Sequence, residues 1–313
     1  MLQKLIDLLR GKKILTIKLQ DNVFYTANYK NKYNGCYIYN LKYQGMENNL
    51  SEIETLILGS SHGVYGYLPN KKEFNLCFPS QDLYYALKLY EIYRKKCPNL
   101  SKIYLFYSIF TPGFELSETS EKWRCVWYKK FFDIKSPNAK VNILSDKLIK
   151  KLRNKIHKIC SETVISDDYR GENIDLDGVC TFKNHSNYTA KQRALDHFKS
   201  NIRSTNSNKY LIKLINLIKK DKRELCIILA PMHEEFRKYL TRFDVLFEEL
   251  YKIATDENIK ILNYYDNPFF KNSDFFDFDH LNLTGSNKLT NLIHKQELKK
   301  NKRIYKIEPA YYP

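Results

Sequence analysis

Residues 56–63, LILGSSHG, join a short apolar run to a turn that holds a glycine and two serines. An uninterrupted apolar run of this kind is typical of a strand that is buried on both faces, as in a parallel sheet. The turn would place a hydroxyl group at the carboxyl end of that strand, beside backbone N–H groups that could bind an oxyanion. This stretch therefore predicts an α/β fold and a candidate nucleophile, Ser61.

Similar apolar runs recur along the chain and alternate with segments whose apolar residues have helical spacing. The sequence predicts strands at 54–58, 74–77, 102–107, 224–229 and 259–262, and helices at 82–96, 210–220 and 243–257. Strands that alternate with helices indicate a parallel sheet with right-handed crossovers. The predicted fold class is therefore α/β, a flavodoxin-like three-layer α/β/α domain over residues 51–295.

Three regions depart from this alternation. Residues 1–50 begin with an amphipathic helix at 2–9 and continue with alternating runs at 14–19 and 36–39, which predict a β-rich extension. Residues 113–205 contain two tryptophans and a basic helix at 145–157, and they predict a cap inserted above the carboxyl ends of the strands. Residues 296–313 are predicted to form a basic C-terminal tail.

Length and composition narrow the class of protein. The chain has 313 residues, of which 43% are hydrophobic and 28% charged, so it can bury a sizeable core. No stretch approaches the roughly 18 to 20 apolar residues that span a bilayer, and the start does not resemble a signal peptide. Seven scattered cysteines without a CxxC pair favour reduced thiols. We therefore expect a cytoplasmic protein without a transmembrane segment.

The chain is strongly basic, with 52 Lys and Arg residues against 35 Asp and Glu residues and a net charge of +17. Such a charge suits an anionic partner such as nucleic acid, lipid or an acidic glycan. Abundant Lys, Asn, Ile and Tyr with few Gly and Pro residues are equally expected of an AT-rich genome. The charge leaves both interpretations open, and no specific nucleic-acid partner is predicted.

A second candidate site lies near the C-terminus, at residues 275–285, FFDFDHLNLTG. A general base needs an imidazole near the nucleophile and a carboxylate that orients the far ring nitrogen. Asp277 and His280 are three residues apart and can supply both groups from one loop, with Asp279 as the alternative acid. The loop could also be structural or bind a cation. A helix is predicted to follow at 286–294.

These two sites, taken together, resemble the SGNH (GDSL-like) hydrolase superfamily. Its first block, Gly-Asp-Ser, is similar to residues 59–61, with Ser60 in place of the aspartate, and its last block, Asp-x-x-His, matches Asp277 and His280. Residues 59–63 also satisfy the G-x-S-x-G pattern of α/β-hydrolases, but that fold places its acid and histidine on separate loops. The SGNH resemblance implies a catalytic triad of Ser61, Asp277 and His280 and no metal or cofactor.

The middle blocks of the family are less complete. Asn-x-Gly-x-x-Gly is similar to residues 75–80, NLCFPS, which implies an oxyanion donor at the backbone N–H of Ser80. The third block, Gly-x-Asn-Asp, is not visible, and Tyr107 or Ser108 are the polar groups nearest its place. His233, just beyond a predicted strand, is expected at the same sheet edge. The predicted oxyanion and substrate-binding residues are Gly59, Ser60, Asn75, Ser80, Ser108 and His233.

Two further histidines are expected to be structural, although His62, next to the nucleophile, could instead tune the site. The side chain of His62 should point away from Ser61, and His197 falls on a helix-like stretch.

A Gly-Ser-Ser first block is typical of family members that modify bacterial surface polysaccharides. The resemblance implies a serine esterase or O-acyltransferase that acts on an O-acylated carbohydrate of capsule or lipopolysaccharide. An anionic carbohydrate is included among the expected substrates. Three alternatives remain open. They are a catalytically silent glycan-binding module, a transferase of a phosphoryl-type group, and a basic nucleic-acid-binding protein.

Overall fold

A computed structural model of the chain describes residues 14–19, 23–28, 34–108, 110–163, 165–173, 189–201, 207–240 and 244–300. The helix predicted at 2–9 and most of the predicted basic tail lie outside the described residues. None of the helices within these ranges is both long and apolar enough to cross a membrane.

The described part of the chain contains two sheets. Strands β1 (Ile14–Leu19) and β2 (Val23–Asn28) form an antiparallel pair, as the sequence predicts for 14–19. The second sheet has five parallel strands, whose ends lie within two residues of the predictions. They are β3 (Thr55–Gly59), β4 (Glu73–Asn75), β5 (Lys102–Phe106), β6 (Glu224–Leu229) and β7 (Lys260–Asn263).

The order of the parallel strands confirms the α/β fold class. The sheet runs β4-β3-β5-β6-β7, which is the order 2-1-3-4-5 when strands are counted from β3. This is the flavodoxin-like order, in which the connections leave in opposite directions from neighbouring strands β3 and β5. In such sheets the crevice outside the carboxyl ends of these two strands is the usual place for a ligand.

Helices precede, connect and cover the strands. In chain order they are α1 (Asn34–Asn48), α2 (Ser61–Gly66), α3 (Leu83–Lys96), α4 (Cys125–Phe132), α5 (Ala139–Lys151), α6 (Arg153–Glu162), α7 (Ala190–Asn201), α8 (Asn208–Lys220), α9 (Glu234–Arg237), α10 (Asp244–Asp256) and α11 (Leu283–Lys300).

Alternate side chains of each strand pack on opposite faces of the sheet, as the two-residue period of a strand requires. Leu56 and Leu105 belong to the larger core cluster, which also holds buried residues of α1, α3, α4 and α8. Ile57 and Phe106 belong to the second cluster, on the opposite face, together with Leu289 of α11. The sheet is therefore covered on both faces, which explains its uninterrupted apolar strands.

The strand predicted at 36–39 is wrong, because these residues begin helix α1. Cys36, Tyr39 and Met46 are all buried in the larger core cluster, and their spacing places them on one face of a helix. The alternation of four residues indicated a strand, whereas the period over the whole segment is helical. The described part of the extension, 14–19, 23–28 and 34–50, is consequently less rich in β structure than predicted.

The region predicted as an inserted cap, 113–205, contributes residues both to the core and to the wall of a cavity. Helix α4 packs in the core against α1, with Trp127 and Tyr128 buried. The basic helix predicted at 145–157 is two helices, α5 and α6, which meet at Leu152. Of the described residues in this region, Phe114, 119–121 and part of α7 border the cavity described below.

The turn after β3 requires a glycine. Gly59 has a φ of +131°, which disfavours L side chains, and an added Cβ would lie 2.4 Å from the carbonyl oxygen of Phe106 on β5. The backbones of β3 and β5 therefore approach closely where the chain turns toward Ser61.

We expect Gly59→Ala to lower the free energy of unfolding by about 1–3 kcal/mol, because it adds backbone strain and a clash with Phe106. Gly66→Ala is the matched control, since the nearest atom to its added Cβ is a Leu289 side-chain carbon at 3.2 Å. Urea denaturation of both variants measures the difference. Equal losses of stability would contradict this account of the turn.

Candidate active site

Ser61 is the first residue of α2 and follows the carboxyl end of β3. Ser60 caps this helix, with its side chain accepting from the backbone N–H of His62. The N–H groups of a first helical turn have no acceptors within the helix, so they can bind an external oxygen. The hydroxyl group of Ser61 thus stands at the sheet edge beside candidate oxyanion donors.

His280 joins Ser61 to Asp277 in one hydrogen-bonded series. Its Nε2 lies 2.8 Å from Ser61 Oγ, and its Nδ1 lies 2.8 Å and 3.0 Å from the two carboxylate oxygens of Asp277. The same carboxylate accepts the backbone N–H groups of His280 and Asp279. The structure therefore brings together the nucleophile, base and acid that the sequence predicts, with the loop backbone holding the acid in place.

Electrostatics around His280 favour its protonated form. Burial of the ring lowers the pKa of His280, but the carboxylates of Asp277 and Asp279 outweigh burial and raise it above its ordinary value. This arrangement stabilises an imidazolium, the species that forms when a histidine takes a proton from a serine.

Asp279, the alternative acid, is more fully buried than Asp277 and is committed to other partners. Its carboxylate accepts from Nε of Arg193 at 3.1 Å and from Nη2 at 2.9 Å, and it lies 3.3 Å from Nε2 of His197. Its distance to His280 Nδ1 is 3.5 Å. Burial alone would raise the pKa of Asp279, but His280, Arg193 and His197 hold it well below its usual range. Asp277 is thus the closer orienting group.

His62 and His197, which the sequence predicts to be structural, both border the site. His62 is buried, with Nδ1 at 3.4 Å from Ser60 Oγ and Nε2 at 3.8 Å from Asp279. His197 stacks on Phe110, with ring centroids 3.7 Å apart. Burial lowers the pKa of both histidines, which favours neutral rings. Sequence spacing does not show the contacts of His62 with Asp279 or of His197 with Phe110 and Asp279, because these partners are distant along the chain.

A cavity of about 440 Å³ lies beside Ser61, and sixteen of the eighteen residues that line it have polar side chains. Seven hydroxyl side chains line it, namely Ser60, Ser61, Ser80, Ser108, Thr111, Thr119 and Ser120. Its charged side chains are Asp82, Glu121, Arg193, Asp196, Lys199 and Asp279, and its aromatic ones outside the histidines are Phe110 and Phe114. The cavity suits a small ligand with several hydrogen-bonding groups.

Besides Ser60, two of the predicted oxyanion and substrate-binding residues border this cavity, namely Ser80 and Ser108. Ser80 has a φ of +58°, in the left-handed region that favours glycine, and its hydroxyl donates to Glu121. The Ser108 hydroxyl accepts the backbone N–H of Phe110. Tyr107, the other candidate from the third block, is buried and donates to Asn208 instead.

Asn75 and His233 lie outside the cavity wall and have structural contacts. The Asn75 amide donates to the backbone carbonyls of Gly63 and Tyr67, which ties the strand edge to α2. His233 caps α9, where its ring accepts the backbone N–H of Glu235 at 3.2 Å. The predicted contact of these two residues with substrate therefore has no support in their positions.

Two buried side chains that sequence analysis missed hold the loops of the site. Gln81 accepts the backbone N–H of Gly59 at 2.8 Å and donates to the carbonyl of Leu76. Lys42 donates to the carbonyls of Asn75 and Cys77, both at 2.8 Å, and burial lowers its pKa to about 8. No motif or spacing marks either residue, since each acts on backbone that is distant in sequence.

One group of side chains has the spacing of metal ligands. Within the described ranges, His62, Asp279 and His280 place one ligand atom each within 4.8 Å of the others. Asp279 is already bonded to Arg193, and the two ring nitrogens of His280 face Asp277 and Ser61. A cation here would have to displace these partners, so the donor set fits a proton relay better than a metal site.

Comparison with known proteins found no matching family profile and no matching curated protein. The chain is similar to the solved structure of a candidate acylhydrolase from Bacteroides fragilis NCTC 9343, with 11% identity, 85% of this chain and 98% of that chain covered, and a TM-score of 0.40. It is also similar to a GDSL-like lipase from Bacteroides thetaiotaomicron VPI-5482, with 10% identity, coverage of 84% and 99%, and a TM-score of 0.40. These values leave the function to be inferred from the geometry of the site.

We expect Gln81→Leu to lower the free energy of unfolding by about 2 kcal/mol or more, because it leaves the N–H of Gly59 and the carbonyl of Leu76 buried without partners. Gln44→Leu is the control, since Gln44 is only part-buried and donates to the Asn40 side chain. Urea denaturation compares the two. If Gln81→Leu lowers the free energy of unfolding no more than Gln44→Leu does, the hydrogen bond between Gln81 and Gly59 adds little to stability.

Proposed function

We propose that this protein is a serine esterase or O-acyltransferase that acts on a short O-acyl group of a carbohydrate. The observation that carries the proposal is the series Ser61–His280–Asp277, with 2.8 Å from serine to imidazole and 2.8 Å from imidazole to carboxylate. This series stands beside a cavity that Ser61 itself lines, together with mainly polar side chains.

In the first step, Ser61 Oγ attacks the carbonyl carbon of the ester while His280 Nε2 takes the hydroxyl proton. The tetrahedral intermediate collapses, the bond from carbon to the leaving oxygen breaks, and His280 returns the proton to that oxygen. Asp277 keeps Nδ1 protonated and stabilises the imidazolium between these events. The products are a free sugar hydroxyl and an acyl group on Ser61.

In the second step, water or another sugar hydroxyl attacks the acyl group, again with His280 as the base. Ser61 leaves with the proton from His280, which restores the free enzyme. Attack by water gives hydrolysis and a carboxylic acid, whereas attack by a sugar hydroxyl gives acyl transfer. The same three residues serve both outcomes.

Negative charge on the carbonyl oxygen needs donors in both steps. The backbone N–H of Ser61, in the first turn of α2, and the backbone N–H of Ser80 are the donors we propose. Gly59 and Ser60 shape the turn that presents the first of them. A donor of this kind typically stabilises the transition state by about 3 kcal/mol. Ser108 stands in the cavity wall where the family has its third block.

The cavity wall supports the choice of a carbohydrate. Hydroxyl and carboxylate side chains can exchange hydrogen bonds with a sugar, while sites for long acyl chains are lined mainly by apolar groups. Arg193 and Lys199 also border the cavity and could contact an anionic substituent. Capsule or lipopolysaccharide is the setting we propose, following the Gly-Ser-Ser first block.

The geometry also weighs against a catalytically silent glycan-binding module. A binding module has no need for a serine, a histidine and an aspartate that are hydrogen-bonded in series. Transfer of a phosphoryl-type group through Ser61 would use the same series, and the choice of probe separates it from acyl chemistry.

We expect the protein to hydrolyse an activated acetyl ester and to be labelled by a fluorophosphonate. Ser61→Ala and His280→Ala should each lower kcat/KM by about 1,000-fold or more, because each removes a group that is bonded or protonated in the transition state. Ser161→Ala, at an exposed position on α6, is the matched control and should keep full activity. Stopped assays and mass spectrometry of the labelled peptide give both readouts.

Labelling at a residue other than Ser61, or turnover that survives Ser61→Ala, would refute the proposed nucleophile. A wild-type protein that is folded but neither labelled nor active would refute acyl transfer.

The enzyme should prefer short acyl chains. Acetyl esters should have kcat/KM at least about tenfold higher than octanoyl esters of the same alcohol, because few apolar side chains line the cavity that could pack against six more methylene groups. Acetate release from O-acetylated oligosaccharides extends the comparison to the proposed substrates. A preference for the octanoyl ester would indicate a lipid substrate instead.

A further inference from the structure

Helix α7 reaches the loop that carries Asp277 and His280 through one buried carboxylate. Arg193 and His197 are four residues apart on α7, so both project from one face of the helix. Arg193 holds Asp279 through two hydrogen bonds, and His197 lies 3.3 Å from the same carboxylate. The side chain of Asp279 is only 2% exposed, so solvent contributes little to balancing its charge.

Asp279 lies close enough to His280 to affect its charge state. One of its oxygens is 3.5 Å from His280 Nδ1, while Asp277 holds the same nitrogen at 2.8 Å. Two carboxylates therefore face one imidazole nitrogen. With both charges unopposed, the ring would be held as an imidazolium, which has no lone pair with which to accept the proton of Ser61.

We propose that Arg193 is a positioning residue that balances the charge of Asp279 and so keeps His280 able to act as the base for Ser61. This inference rests on the proposed function, since it gives His280 that role. Arg193 acts through Asp279. A guanidinium suits the task because it stays protonated throughout the working pH range and its planar fork matches a carboxylate.

The other groups around His280 fit this assignment. Its own loop contributes Asp277 and Asp279, and the segment after β3 contributes Ser61, His62 and Tyr65, with ring centroids at 5.7 Å for His62 and 4.7 Å for Tyr65. Helix α7 contributes Arg193 and His197. Burial lowers the pKa of His62 and of His197, so neither supplies a positive charge that replaces Arg193 at neutral pH.

The pKa directions agree with the geometry. After burial and Asp277, Asp279 raises the pKa of His280 and Arg193 lowers it. Loss of the arginine charge should therefore raise the pKa of His280, and loss of the aspartate charge should lower it. Because His280 must be neutral to accept a proton, a higher pKa moves the acid limb of kcat/KM to higher pH.

The test is a double-mutant cycle that removes the charges of Arg193 and Asp279 singly and together. Arg193→Gln should shift the acid limb upward by about one pH unit, and Asp279→Asn should shift it downward. The double variant R193Q/D279N should return most of the way to the wild-type position, because both charges are then absent. Titration of the His280 ring by NMR gives the same pKa values without requiring activity.

Two further variants separate charge from structure. Arg193→Lys keeps the positive charge with poorer geometry, so its acid limb should stay near that of the wild type even where kcat falls. Arg94→Gln is the matched control, because Arg94 pairs with Asp221 in a part-buried ion pair beside the amino end of β6. It should lower stability without moving the limb.

The outcomes are distinct. Single variants that lose activity or stability with unchanged limbs and unchanged His280 pKa values would overturn the inference and leave Arg193 as a packing residue. Shifts of the same sign in both single variants would overturn it as well. An inactive wild type refutes the proposed function, whereas the NMR titration still decides whether Arg193 sets the pKa of His280.

Discussion

The close approach of β3 and β5 at Gly59 is the constraint on which the rest of the site depends. The positive φ at this residue turns the chain out of the sheet, so that α2 begins with Ser61 at the carboxyl edge. Gln81 accepts the N–H of Gly59, and Asn75 donates to the carbonyls of Gly63 in α2 and of Tyr67 just after it. Because these contacts are backbone or buried amide contacts, the position of the serine hydroxyl follows from the fold itself.

The loop that carries Asp277 and His280 depends on a second constraint, which is electrostatic. A carboxylate as buried as Asp279 is costly unless it is paired, and here Arg193 and His197 of α7 are its partners. That pairing joins a helix at the cavity wall to the loop that orients His280. The region between β5 and β6 thus contributes both to the cavity and to the charge balance of the site, while α4 from the same region belongs to the core.

Several features could be predicted because they are local. Apolar runs marked the five parallel strands to within two residues, and the spacing of Asp277 and His280 allowed one loop to supply two groups. The wrong strand prediction has a physical cause as well. Residues 36–39 alternate locally but follow a helical period over the whole of α1. The predicted roles of Asn75 and His233 stay predictions, and in the structure the side chains of both residues contact backbone groups.

By itself, the sequence determined the class of fold and predicted that Ser61, Asp277 and His280 belong to one site, because strand periodicity and short turn motifs are encoded over a few neighbouring residues. The tertiary structure decided that His280 lies 2.8 Å from Ser61 across 219 positions of sequence, and that His62, Gln81, Arg193 and His197 surround them. Those contacts join segments that meet only when the sheet is assembled. Their geometry and burial, which set the charge of each group, have no counterpart in sequence spacing.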